Sequence, residues 1–135
     1  MLLGIDIGTT NSKVGLFDTD GTCLALASRE TETNYERKEK YYYYKPETMW
    51  RSVAECIHEV LAGRNVGEVQ GIGITSMAES GLLIERETGR EKSPILPWFD
   101  TSSEPQARHI AAAGDALERF RKTGLTNSFK LGLAK

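Results

Sequence analysis

Apolar and polar positions along the chain divide it into short elements. Met1 to Ile7 is largely apolar and predicts a first strand; Lys13 to Asp18 predicts a second. Asp18-Thr19-Asp20-Gly21 is a hairpin turn, with Gly21 suited to positive φ. In Thr22 to Glu32, a third strand, Leu24 and Leu26 fall on one side and Ala25 and Ala27 on the other. Three strands joined by short turns imply an antiparallel meander. Pro46 fits the first turn of a helix, and Trp50, Val53, Ala54, Ile57, Val60 and Leu61 recur at three- and four-residue steps. That apolar face should pack on the sheet, with Gly63 as the stop. Val69 to Thr75 predicts a short buried strand that follows a helix and so can run parallel to an earlier one.

The second half is less periodic. Gly81 to Glu85 and Pro94 to Trp98 predict two more strands, joined by Arg86-Glu87-Thr88-Gly89-Arg90. Glu104 to Ala113 and Ala116 to Lys122 read as helices around Gly114. Thr126 to Lys135 reads as the start of another helix, capped by Asn127 or Ser128. Between Thr33 and Lys45 lie four successive tyrosines, Tyr41 to Tyr44. They could form a ligand-stacking surface, but the strand preference of aromatic residues favours a partly buried extended segment.

The 135 residues correspond by size to one domain. A domain of this size buries roughly 68% of its unfolded surface and needs no covalent staples. Seventeen Lys and Arg against nineteen Asp and Glu give a formal charge of −2, which offers no general attraction for nucleic acid or an anionic membrane. Cys23 and Cys56 both sit in apolar patterns and read as buried free thiols. No Cys/His ligand cluster is present, so no zinc site is expected. His58 and His109 read as helix-surface residues, and Arg37-Lys38 with Lys40 as a solvated loop. No apolar run is long enough for a signal peptide or a membrane span, so a cytoplasmic location is the default expectation.

Chemistry concentrates first in Gly4-Ile5-Asp6-Ile7-Gly8-Thr9-Thr10-Asn11-Ser12-Lys13. A tight hairpin of this make-up can curl backbone N–H groups around a phosphate. Gly8 would let the ligand come close, Thr9, Thr10, Asn11 and Ser12 would add side-chain donors, and Lys13 a positive charge. Asp6 repels phosphate unless a cation lies between them, and Mg²⁺ shared by carboxylate, water and phosphate oxygens meets that need. A plain hairpin with Asp6 capping a turn is the alternative. The segment resembles the first phosphate-binding hairpin of the actin/Hsp70/sugar-kinase superfamily.

A second stretch is Gly71-Ile72-Gly73-Ile74-Thr75-Ser76-Met77-Ala78-Glu79-Ser80, followed by Thr88-Gly89 and by Trp98-Phe99-Asp100. Glu79 and Asp100 are potential acceptors for sugar hydroxyls, and Met77 and Trp98 potential apolar surface for a carbon skeleton. Alternatively Glu79 is a loop residue and Asp100 caps the next helix. Taken in order, these pieces resemble the N-terminal part of the FGGY carbohydrate kinases, over nearly the whole chain.

The resemblance implies an α/β fold of the ribonuclease H-like, actin-like ATPase type, with a mixed sheet, flanking helices and an incomplete C-terminal end. It implies ATP-dependent phosphorylation of a sugar or polyol, with ATP and Mg²⁺ as cofactors. Asp6 would be linked to the metal, and Gly8, Thr9, Thr10, Asn11, Ser12 and Lys13 would hold phosphate. Met77, Ala78, Glu79, Trp98 and Asp100 would face the acceptor. Glycerol-specific members carry an Arg in the triplet where Ala78 stands, and members usually carry an Arg where Ser102 stands. Both departures argue against assigning glycerol or xylulose. The family's catalytic base lies in a Gly-Asp-Gln segment beyond residue 135, so the chain is expected to be an N-terminal fragment, inactive alone. A non-catalytic interaction module with self-association, or an Hsp70-like nucleotide switch, are the competing readings.

Overall fold

The computed structural model describes the whole chain, Met1–Lys135, within which two compact units are distinguished. The first comprises Met1–Glu32 and Lys45–Met77; the second, Thr33–Tyr44 and Ala78–Lys135.

In the first unit one sheet holds four strands, in the spatial order Cys23–Glu30, Asn11–Phe17, Leu2–Ile7, Gly71–Ser76. Strands β1 (Leu2–Ile7), β2 (Asn11–Phe17) and β3 (Cys23–Glu30) form the expected antiparallel meander. Strand β6 (Gly71–Ser76) lies parallel to β1, with Leu3 opposite Ile72 and Ile5 opposite Ile74. Helix α1 (Pro46–Leu61) makes that parallel return possible by carrying the chain back across the sheet.

Strand alternation sends Leu3, Ile5, Val14, Leu16 and Ala27 to one face, where they form the core with Val53, Cys56 and Val60 of α1. Each buried Leu, Ile or Val there contributes about 1.5–3 kcal/mol of burial, which makes this face the main source of the unit's stability. Pro46 starts the helix as expected, and the Arg64 guanidinium donates to the Val60 carbonyl at its far end (2.9 Å). Arg29 of β3 reaches across to Glu59 of the helix (2.7 Å).

Several expectations fail here. Trp50 is 67% exposed, because the buried arc centres on Val53, Cys56 and Val60 and leaves position 50 at its margin. Cys56 is buried, but Cys23 is exposed at the edge strand. Strand β6 is not buried: Ile72 and Ile74 are 62% and 70% exposed. They lie on the helix-covered face by register, but α1 packs on β2 and β3 and does not extend over β6.

The second unit contains a small hairpin of β4 (Asn34–Glu36) and β5 (Tyr41–Tyr43), so the tyrosine run is indeed extended. Tyr44 is fully buried and exchanges both backbone hydrogen bonds with Ile95 (2.9 and 3.1 Å). Tyr42, Tyr44 and Trp98 all make edge contacts with Phe99. Gly81 to Glu85 and Pro94 to Trp98 are not strands; they meet at the single bridge Gly81–Leu96, while Ile84 bridges Glu91 in the intervening loop. Pro94 and Pro97 carry no N–H, and the Leu83 N–H goes to the Ser93 hydroxyl (2.9 Å), so no ladder propagates.

Helices α2 (Glu104–Ala112) and α3 (Ala116–Thr123) match the sequence reading. Asp115 caps α3 by accepting from the Glu118 N–H (2.7 Å). Gly124 ends it at φ 71°, its N–H on the Phe120 carbonyl. The helix expected from Thr126 onward is reduced to a 3-10 turn at Gly132–Ala134. Its two candidate caps act otherwise: the Asn127 amide donates to the Ala107 carbonyl (2.6 Å), and the Ser128 hydroxyl accepts from the Lys130 N–H (3.2 Å).

Candidate functional site

In the first unit, β1 and β2 are joined by a turn in which the Gly8 N–H donates to the Asn11 carbonyl (3.1 Å). A Cβ on residue 8 would lie 2.8 Å from that same carbonyl oxygen, so the closure requires glycine. The turn is braced by the residue that follows β3: the Thr31 hydroxyl donates to the Gly8 carbonyl (2.9 Å) and the Thr31 N–H to the Thr10 carbonyl (2.9 Å).

Asn11 and Lys13 begin β2 with exposed side chains. Ser12 lies between them and alternation turns it inward, where it is buried and its hydroxyl shares a hydrogen bond with Thr31 (3.3 Å). Its expected role as an outward side-chain donor is therefore corrected: Ser12 holds the turn from beneath. Thr9 is half-buried and Thr10 exposed on the turn itself.

Asp6 pairs in register with Lys13 on one side and Thr75 on the other. All three are exposed on the sheet face opposite α1, and Asp6 forms no ion pair. Below them the same face is almost without side chains. Gly4 pairs with both Gly15 and Gly73, and the Phe17 ring lies so close over Gly15 that a Cβ there would stand 2.6 Å from it. The result is a shallow open groove of about 430 Å³, with Asp6, Lys13 and Thr75 among the residues that line it. No group of three metal-ligating side chains converges anywhere. A cation at Asp6 would thus have one protein carboxylate and otherwise water or ligand oxygens, which suits Mg²⁺.

Met77 ends the first unit, its N–H on the Ile7 carbonyl (2.9 Å). In the second unit Ala78 is exposed and adds no functional group. Glu79 adopts the left-handed conformation (φ 56°), unusual for a residue with a Cβ. Its carboxylate accepts from the Gly132 N–H (2.5 Å), which fixes it against the C-terminal segment.

Asp100, 2% exposed, does not present a free carboxylate. One oxygen accepts from the Tyr42 N–H (2.7 Å), the other from the Ser102 N–H (3.0 Å) and the Ser102 hydroxyl. It ties the tyrosine hairpin to the start of α2, although the N-cap of that helix is Ser103 and not Asp100. The Lys135 ammonium donates to the Pro97 carbonyl. Burial pushes it below the usual lysine range, opposed by the charges of Asp100 and Glu79. The face of Trp98 carries the Lys130 ammonium, 5.1 Å from the ring centroid. Sequence reasoning singled out neither lysine, since only the fold of the last ten residues brings them to the Trp98 segment.

Similarity to known proteins covers nearly the whole chain. The profile of the FGGY family of carbohydrate kinases, N-terminal domain, matches residues 1–133. Glycerol kinase of Delftia acidovorans is 32% identical over 126 residues, spanning 92% of this chain and 25% of that protein. Glycerol kinase of Methylorubrum populi is 36% identical over 124 residues, 90% of this chain and 24% of that protein. The chain thus spans about a quarter of the length of the curated relatives it matches.

Among solved structures, Plasmodium falciparum glycerol kinase with ADP superposes with a TM-score of 0.87 at 19% identity, covering 98% of this chain and 27% of that one. Xylulose kinase from Rhodospirillum rubrum gives 0.86 at 22% identity and gluconate kinase from Lactobacillus acidophilus 0.83 at 21%, each covering 96% of this chain and 26% of its own. These likenesses carry the fold, an actin-like ATPase arrangement seen here in part. With the mixed sheet, the glycine-closed turn beside an exposed carboxylate, and a match to the model of the N-terminal domain over residues 1–133, the chain belongs to the FGGY family of carbohydrate kinases.

Proposed function

We propose that this chain supplies the phosphate-holding and acceptor-holding parts of an ATP-dependent kinase acting on a sugar or polyol. One observation carries the proposal. An exposed carboxylate, Asp6, stands unpaired at the end of β1, beside a turn that only glycine can close and across from the Lys13 ammonium. Mg²⁺ on Asp6 would neutralise phosphate oxygens that carboxylate alone would repel. Gly8, Thr9, Thr10 and Asn11 offer backbone and side-chain donors to those oxygens, and Lys13 adds charge; Ser12 supports them from the core. Mg²⁺ would supply charge neutralisation when bound, and the residues of this turn would position the phosphate oxygens.

On the acceptor side Glu79, held by Gly132, is the carboxylate free to meet a hydroxyl with its remaining oxygen, with Met77 and Ala78 before it in the chain. Asp100 is engaged by the Tyr42 and Ser102 N–H groups, so on this side its role is to hold the tyrosine hairpin against the segment that follows Trp98. Neither carboxylate is cast as the catalytic base. The resemblance in relatives named as glycerol kinases supports phosphoryl transfer to a hydroxyl.

The test is calorimetric titration of the chain with Mg²⁺·ADP, with and without the Asp6→Asn substitution. Heat of binding that requires Mg²⁺ and disappears in Asp6→Asn supports the reading. Binding that is indifferent to both Mg²⁺ and Asp6 overturns it.

A further inference from the structure

The sheet of the first unit ends on one side at β3 and on the other at β6. An edge strand offers a row of backbone N–H and C=O groups to any further strand, and charge, proline or a bulge usually guards it. Strand β3 is guarded: it carries Arg29 and Glu30, and an irregularity at Leu16/Phe17 breaks its register with β2. Strand β6 has none of these devices. Gly71-Ile72-Gly73-Ile74-Thr75-Ser76 holds no charge and no proline, and its register with β1 is unbroken. Ile72 and Ile74 stand exposed side by side on one of its faces.

The residues of this edge suit a second copy of the same strand. About Gly73 they are nearly palindromic: Ile72 and Ile74 flank the centre, and Gly71 and Thr75 come next. In an antiparallel pair of two copies centred on Gly73, Ile72 of each copy faces Ile74 of the other, Gly73 faces Gly73, and Gly71 faces Thr75. Directly opposed residues share a face, so the four isoleucines form one apolar row. Continuing the register to Val69 and Met77 sets no charge against another, because residues 69–77 carry none. We propose that β6 is a self-recognition edge, through which two copies of the chain form a closed two-fold dimer with one continuous sheet. A hydroxyl, Thr75, is the largest side chain this pairing adds on the opposite face, so the Asp6 side of the sheet is not crowded by it.

The experiment is sedimentation velocity of the chain from about 5 to about 500 µM. A single strand edge is a small interface, so the mass should rise from 15.0 kDa towards twice that value with a dissociation constant on the order of 10–100 µM. Ile72→Lys and, separately, Ile74→Lys put a charge on the edge and should weaken association about tenfold or more. Both positions are exposed, and circular dichroism at the lowest concentration checks that the fold is kept. Leu26→Lys, exposed on the opposite edge strand, should leave association unchanged. Cross-linking then reads the register, in a Cys23→Ser background that removes the exposed native thiol. Gly73→Cys should form an intermolecular disulfide on oxidation by diamide, since directly opposed Cα atoms lie roughly 4.5–5.5 Å apart. Ile72→Cys should not, because its counterpart in the second copy lies on the diagonal, roughly 7–8 Å away. If a lysine variant unfolds, the two cysteine variants still decide the question. A mass that stays at 15.0 kDa throughout, or that grows beyond two copies, overturns the proposal. So does association that survives both lysine substitutions on β6, association lost in Leu26→Lys, or Ile72→Cys linking as readily as Gly73→Cys.

Discussion

Replacing Gly8 by alanine isolates the closure of the β1–β2 turn. The added Cβ would sit 2.8 Å from the Asn11 carbonyl oxygen, a backbone atom that cannot swing aside. An ordinary carbon contact needs roughly 3.5 Å, so the two strands must part by about 0.7 Å at this point. Two hydrogen bonds meet there: Gly8 N–H to Asn11 (3.1 Å), and Thr31 hydroxyl to the Gly8 carbonyl (2.9 Å). Each contributes about 1 kcal/mol net. Strain or partial loss of both gives a cost of about 1–3 kcal/mol, the usual range for forcing a methyl into a closed site. For a chain of this length that corresponds to a fall in melting temperature of about 4–12 °C. Gly73→Ala is the matched control, since a Cβ there meets nothing within 4 Å and should change stability by less than about 0.5 kcal/mol. Thermal unfolding followed by circular dichroism reads both. If Gly8→Ala melts with the wild type while Gly73→Ala does not, the account of the turn is wrong.

Three further outcomes follow from the packing and charge. With a thiol-specific reagent, native protein should release one equivalent quickly from exposed Cys23, with Cys56 reacting only on unfolding because burial also pushes its thiol above the usual range. Val60→Ala, in the α1–sheet core, should cost about 1.5–3 kcal/mol in denaturant unfolding, whereas Trp50→Ala at the exposed margin should stay within about 0.5 kcal/mol. The Glu85 carboxyl is held below its usual range, first by the Thr88 hydroxyl and then by Lys92. A depressed carboxyl stabilises the Glu85–Arg90 turn above the ordinary carboxylate range and loses that contribution as pH falls through its lowered value. Amide shifts of Thr88 and Gly89 should therefore titrate at lower pH than a free glutamate, and not at all in Glu85→Gln.

Legibility in the sequence followed the range of the interactions. The meander, α1 and the parallel strand are local: each declares itself by alternation, a three-to-four periodicity or a turn residue such as Gly21 or Gly63. The same periodicity does not report what covers an element. Ile72 and Ile74 look like core residues in sequence and are exposed because no helix lies over β6. Strand parity places Ser12 inward with Val14 and Leu16, because β2 begins at Asn11 and not at Lys13.

In the second unit, the contacts that decide the site are long in sequence and leave no periodic trace. Tyr42 to Asp100, Gly132 to Glu79 and Lys130 to Trp98 each join segments read separately. Prolines 94 and 97 were the signal against the two expected strands, since each removes a donor from a ladder.

The central claim is that the Gly8–Asn11 turn with Asp6 receives the phosphates of a magnesium nucleotide. Backbone amide shifts of ¹⁵N-labelled chain, recorded as Mg²⁺·ADP is added, test it most directly. The account predicts saturable shifts centred on Gly8, Thr9, Thr10, Asn11 and Lys13 that vanish when Mg²⁺ is removed or Asp6 becomes Asn. Shifts absent from those residues at saturating nucleotide, or present and unaltered in Asp6→Asn, would contradict it.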